Sequence, residues 1–177
     1  MRIACVLAQE FEDSEFRLPY DRFRAAGHTV TVIGAKAGDK LKGHSGKEET
    51  TVELAIDRAR PDDFDALFIP GGHSPDQLRA DERFVEFTRA FARKPVFAVC
   101  HGPQLLMAAG MVQGKTLTAW KTIQADLKYT GAKVVDQEVV TDGLLVTSRK
   151  PDDLDAFTRE SLKLLGARDG ARASAAR

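Results

Sequence analysis

The stretch best equipped for chemistry is Val96-Phe97-Ala98-Val99-Cys100-His101-Gly102-Pro103. An apolar, strand-forming run stops at a cysteine, and a helix pattern begins at once. This is the layout of a nucleophile elbow, in which a buried strand delivers a nucleophile to a sharp turn ahead of a helix. Such a turn needs small residues two positions to either side, and Ala98 and Gly102 stand there. The positive end of the following helix favours thiolate, which predicts a lowered pKa for Cys100. The His101 N–H then points at an oxyanion formed beside the sulfur. Adjacent residues at a helix start point in different directions, so the spacing predicts no direct sulfur–imidazole pair. It leaves His101 either a role across the mouth of the site or none beyond the surface. Cys5, the second of two cysteines, lies mid-strand and reads as core.

Two further loops carry polar groups. In Pro70-Gly71-Gly72-His73-Ser74-Pro75-Asp76, the glycines permit close backbone approach, and the Gly72 N–H is a second oxyanion donor opposite His101. Alternatively the pair is a plain tight turn. In Gln9-Glu10-Phe11-Glu12-Asp13-Ser14-Glu15, acids crowd a helix start, where they cap it and complement its dipole. One of them, Glu15 or Glu12, can instead turn inward toward Cys100. Burial would keep such a carboxyl protonated and fit it for general acid–base work. Spacing alone does not choose between the two. The histidines are His28, His44, His73 and His101, with no H-x-x-x-H or C-x-x-C spacing. This argues against a structural zinc site, and no metal or cofactor is expected.

These loops need a frame. Apolar runs at Ile3–Ala8, Thr29–Ile33, Asp65–Ile69 and Pro95–Val99 alternate with helical patterns at Glu15–Ala26, Asp81–Arg93, Gln104–Ala109 and Thr122–Tyr129. Ala35–Thr51 reads as a loop with an edge hairpin. Val134–Val140 and Leu144–Ser148 flank an Asp142-Gly143 hairpin signal. A last helix starts at Pro151 or Asp152. The alternation predicts one α/β domain over residues 1–165, with a mostly parallel sheet covered on both faces. Residues 166–177 are small, polar and basic and are predicted to be a disordered tail. In such sheets the site lies at the C-terminal strand ends, which selects the loops just described.

The chain has 177 residues, with 26 Lys plus Arg balancing 26 Asp plus Glu. A zero net charge gives no pull toward nucleic acid or anionic membrane. No apolar run approaches the roughly 18 residues of a membrane span. The N-terminal run is too short for a signal sequence, so a reducing cytoplasm is the expected setting.

Taken jointly, Glu10-Phe11-Glu12-Asp13 with Glu15, Phe64-Asp65-Ala66-Leu67 through Pro70-Gly71-Gly72, Ala98 through Gln104, and Ser148-Arg149 through Leu154 resemble the ThiJ/PfpI superfamily. The similarity is strongest to its PfpI-type intracellular protease branch and extends from Arg2 to about Leu165. It implies a flavodoxin-like three-layer sandwich, a reactive Cys100, and a homodimer able to assemble into hexamers. It places the family's buried glutamate on Glu15, leaves Glu12 as a nearby pocket acid, and puts the oxyanion amides on Gly72 and His101. In the protease branch a glutamate from a neighbouring subunit completes a Cys-His pair, and Asp76 occupies that position here, one methylene shorter. The resemblance also implies glyoxalase or deglycase activity on methylglyoxal or its adducts, and a stress-response role. The leading expectation is therefore a cofactor-free enzyme acting on reactive carbonyls through Cys100. Peptide hydrolysis by Cys100, His101 and Asp76 is the first alternative. A non-enzymatic oxidation sensor or chaperone acting through Cys100 is the second.

Overall fold

The unbroken apolar run after Arg2 is explained by what covers it. In the computed structural model, which describes residues 1–175, the first strand sends Ile3 and Cys5 into one core and Ala4 and Val6 into another, all four with no exposed surface. A strand buried on both faces has no polar positions to alternate with.

In chain order the elements are β1 (Arg2–Val6), α1 (Asp13–Ala25), β2 (Thr29–Gly34), β3 (Lys40–Lys42), β4 (Glu49–Thr51), β5 (Leu54–Ala55), β6 (Ala66–Ile69), α2 (Ser74–Arg79), α3 (Glu82–Arg89), β7 (Val96–Val99), α4 (Pro103–Ala108), β8 (Thr116–Leu117), α5 (Gln124–Tyr129), β9 (Lys133–Val134), β10 (Val139–Asp142), β11 (Leu145–Ser148) and α6 (Leu154–Ala175). The main sheet runs β10-β11-β7-β6-β1-β2-β5. Every neighbouring pair is parallel except β10–β11. One face is covered by α1 and α6, through Phe16, Phe23, Phe157 and Leu165. The other packs on Phe84, Phe87 and Phe91, in and just after α3, and on Leu105 and Leu106 of α4. This is the three-layer α/β sandwich that the alternation of elements predicts.

Several expectations change in detail. The run expected as one strand over Val134–Val140 is divided. Its first part, β9, pairs with β8 in a separate two-stranded ladder, and only Val139 onward joins the main sheet. The edge hairpin is β3 and β4, which pair with each other and not with the sheet. The sequence reading missed α2, a six-residue helix opened by Ser74-Pro75, because it is too short to show a period. The last helix continues past Gly166, where the tail was expected to begin, and runs to Ala175; residues 176–177 lie outside the described residues. No helix among the described residues is long and apolar enough to cross a membrane.

Phe23 shows how the α1 face is locked. Its ring lies 5.5 Å from Phe68 of β6 and 5.7 Å from Phe97 of β7. Aromatic truncation in such a core costs about 3–5 kcal/mol. Phe23→Ala is expected to lower unfolding free energy by about that much in urea denaturation, because it leaves a cavity between α1 and two central strands.

Candidate active site

β1, β6 and β7 are adjacent and parallel, so the loops that follow them must converge. The β7 loop is the tightest. Cys100 donates its N–H to the Ser148 carbonyl at 2.9 Å, Gly102 N–H closes back on the Val99 carbonyl at 2.8 Å, and Trp120 N–H reaches the Cys100 carbonyl at 3.0 Å. These bonds hold Cys100 at φ +61°, a left-handed conformation costing about 1–3 kcal/mol for a residue with a Cβ. The small residue at 102 is required by space. A Cβ on Gly102 would stand 2.7 Å from the Ile69 carbonyl oxygen.

This conformation corrects one expectation. His101 does meet the sulfur: its Nδ1 lies 3.3 Å from Cys100 Sγ. Divergence of neighbouring side chains holds along a helix, but α4 starts only at Pro103, and the left-handed turn swings the imidazole back. His101 is half-buried, with its ring tilted against Trp120 at 6.3 Å. Burial lowers its pKa, helped by the charge of His73 and opposed by that of Asp76.

The β1 loop supplies the acid. Glu12 is the N-cap of α1, its carboxylate accepting from the Glu15 N–H at 2.8 Å and the Ser14 hydroxyl at 2.6 Å. Capping turns Glu12 back on its own helix and sends Glu15, in the first turn, inward. Glu15 has no exposed surface, and neither carboxyl oxygen has a hydrogen bond of good geometry among the described residues. Its surroundings are Cys100 and the Gly71 amide. A Cβ on Gly71 would stand 2.2 Å from Glu15 Oε2 and 2.7 Å from the Cys100 Cβ. Glycine at position 71 is therefore what lets the carboxyl lie beside the sulfur. Burial, reinforced by the charge of Glu12, raises the Glu15 pKa from 4.5 to about 8, against the opposing pull of Cys100 and the Gly71 amide.

The thiol departs from expectation. Burial pushes Cys100 well above the ordinary thiol range, and the Glu15 carboxyl adds to it by charge and hydrogen bonding. The Gly72 and His101 amides oppose this by donating to the sulfur. A helix dipole does not dominate, because α4 is six residues long and begins three residues after the cysteine. The two buried acids therefore form one unit: two anions cannot coexist there, and the pair holds at least one proton through the neutral range.

The β6 loop closes the site. Gly72, at φ +77°, forms a bridge with Phe11, where a Cβ would meet the Glu10 carbonyl oxygen at 2.5 Å. Asp76, in α2, lines an open cleft of about 490 Å³ together with Glu10, Gly72, His73, Gln77, His101 and Gln104. It is paired with Arg79 of the same chain at 2.5–2.9 Å. Cys100, 7 % exposed, does not line the cleft itself, and His101 does. Spacing missed Trp120 as a backbone donor to the elbow and Gln104 as a cleft residue whose buried Oε1 has no hydrogen-bond partner among the described residues. Cys5 is fully buried and its thiol is pushed well up by burial and by Glu53, as a core cysteine should be.

The raised Glu15 pKa has a signed consequence. Between pH 4.5 and about 8 the folded chain keeps a proton that the unfolded chain has released, so stability falls as pH rises through that window. Glu15→Gln is expected to be more stable than wild type by about 1–3 kcal/mol near pH 7.5, with the gap closing toward pH 4.5. Urea denaturation across this range measures it.

The DJ-1/PfpI family model matches residues 1–164. The chain is 56% identical over 169 residues, 94% of its length, to Protein/nucleic acid deglycase 2 of Escherichia coli (strain K12), covering 98% of that protein. It is 54% identical to General stress protein 18 of Bacillus subtilis (strain 168), over 93% of this chain and 97% of that one. A crystal structure of a two-domain protein from Anabaena variabilis, containing DJ-1/ThiJ/PfpI-like and ferritin-like domains, superposes with a TM-score of 0.91 at 38% identity. That match covers 93% of this chain and about half (48%) of the larger protein. The chain belongs to the DJ-1/PfpI family.

Proposed function

We propose that this protein is a cysteine-dependent enzyme that consumes reactive 1,2-dicarbonyl compounds, methylglyoxal in the first place, or removes them from amines and thiols they have modified. The observation that carries the reading is the Glu15 carboxyl, buried with no hydrogen bond of good geometry against the sulfur of Cys100. Burying a carboxyl with so little compensation costs several kcal/mol unless it keeps its proton. A site that accepts this cost holds a proton where a reaction needs one.

The steps follow from the placement. Cys100 sulfur adds to the aldehyde carbon of methylglyoxal and forms a hemithioacetal, the thiol proton ending on the former aldehyde oxygen with Glu15 as its relay. The Gly72 and His101 amides, already directed at the sulfur, donate to the oxygen as negative charge develops on it. A proton then moves from the former aldehyde carbon to the neighbouring carbonyl carbon through an enediol, with Glu15 as the relay and His101 facing the cleft. The product is a lactoyl thioester, in which one carbon has been oxidised and its neighbour reduced. Water hydrolyses it to lactate and restores the thiol. The chemistry is closed within one substrate and one water. A carbinol adduct on an amine or thiol enters the same sequence when its C1–N or C1–S bond breaks, the amine or thiol leaving with the carbinol proton and the aldehyde so formed being taken up by the Cys100 sulfur. The deglycase name of one relative supports removal of carbonyl adducts.

A second reading is peptide hydrolysis, favoured by the 3.3 Å Sγ–Nδ1 contact, which is the reach expected of a cysteine–histidine pair. In this chain, however, Asp76 is paired with Arg79, so orienting His101 through Asp76 requires giving up that ion pair.

The assay is lactate release from methylglyoxal. Cys100→Ser and Glu15→Gln are each expected to lose at least about 10²-fold in kcat/KM, the scale of a lost nucleophile or general acid–base. A Cys100→Ser variant as fast as wild type overturns the reading. Peptide cleavage by wild type in the absence of lactate release moves the assignment to the second reading.

A further inference from the structure

Outside the cysteine site, three loops bring Glu10, His44 and His73 together at the rim of the cleft. One ligand atom from each lies within 4.8 Å of the other two, and all three side chains are exposed. Glu10 Oε2 and His73 Nδ1 are already 3.3 Å apart, and the His44 and His73 rings meet edge to face at 5.3 Å. The residues are separated by 34 and 29 positions, so no sequence spacing reveals them.

The grouping is built by backbone. Phe11, fully buried, bridges to Gly43 on one side and to Gly72 on the other. Each donor is the immediate neighbour of one member of that bridge: Glu10 precedes Phe11, His44 follows Gly43, and His73 follows Gly72. His44 N–H donates to the Phe11 carbonyl at 2.7 Å and His73 N–H to the Glu10 carbonyl at 2.9 Å. The His44 loop is pinned again by Asp13, whose buried carboxylate accepts from the Ser45, Lys47 and Glu48 amides at 2.7–2.9 Å. Gly43 is needed there, since a Cβ would stand 2.4 Å from the Asp13 carboxyl. Glu10 itself is held at φ +57°. The three ligands thus sit on fixed backbone, and only side-chain rotation separates them from convergence.

Two imidazoles and a carboxylate form a donor set for a late first-row divalent ion, of which zinc is the most common in proteins. With bonds of 2.0–2.1 Å, the edge of a tetrahedral zinc site is about 3.3 Å, the separation Glu10 and His73 already have. We propose that Glu10, His44 and His73 bind one divalent transition-metal ion, zinc among them, at the mouth of the cleft. Three protein ligands leave the ion an open coordination position. Glu10 and His73 share the cleft wall with His101, so the bound ion lies at the entrance to the cysteine site. The assignment is independent of the reaction proposed for Cys100.

The test is calorimetric titration of zinc chloride into the untagged full chain. One zinc per chain is expected, with affinity falling at least tenfold in His44→Ala and in His73→Ala and unchanged in Cys100→Ser. With cobalt(II) the visible bands should report nitrogen and oxygen ligands, without thiolate charge transfer. Because the two histidines are exposed, both variants should unfold at the wild-type temperature, and this is checked alongside. Binding that survives both histidine substitutions, that disappears in Cys100→Ser, or that is no tighter than millimolar in wild type overturns the proposal.

Discussion

The site rests on a single unfavourable placement: a glutamate carboxyl with no exposed surface set against a cysteine sulfur. Neither group is at ease as an anion there: Glu15 makes ionisation of the sulfur harder, while Cys100 offsets only part of the burial that raises Glu15. The consequence is a shared proton. When the pair loses its first proton, Glu15 gives it up before Cys100, and the Gly72 and His101 amides ease ionisation of the sulfur without reversing that order. A nucleophile and its proton relay are thereby made from one buried unit, with reactivity set by burial and by two backbone donors more than by a helix dipole.

The remainder of the molecule can be understood as holding that placement. Burial of β1, β6 and β7 on both faces fixes three parallel strands, whose C-terminal loops then have nowhere to diverge. Gly71 makes room for the carboxyl, Gly72 for the Phe11 backbone, and Gly102 for the turn that strains Cys100. A side chain at any of these would press on backbone or on the reactive pair itself. Phe11 ties the β1 loop to two others, so the geometry of the acid, the amides and the cleft rim is set by a common brace.

Much of this was legible in the sequence, and the reasons are local. Cys100 was identifiable because a strand-to-turn-to-helix transition leaves a signature of apolar run, small flanks and helix former. The three loops followed from the rule that parallel strands present their C-terminal ends together. Glu12 and Glu15 could not be separated by spacing, since their difference lies in the capping bond that turns Glu12 back along α1. The His101–sulfur contact was not legible, because a positive φ at a non-glycine residue is imposed by tertiary bonds to Ser148 and Trp120. The grouping of Glu10, His44 and His73 was hidden for the same reason: it exists only through the Phe11 brace.

The most direct test of the shared-proton account is a carbon-13 titration of the Glu15 carboxyl in glutamate-labelled protein, with Glu15→Gln for assignment. The account predicts that Glu15 titrates near pH 8 and that the Cys100 Cβ resonance moves over the same range. A Glu15 that ionises near its ordinary 4.5, with Cys100 unmoved, would contradict it.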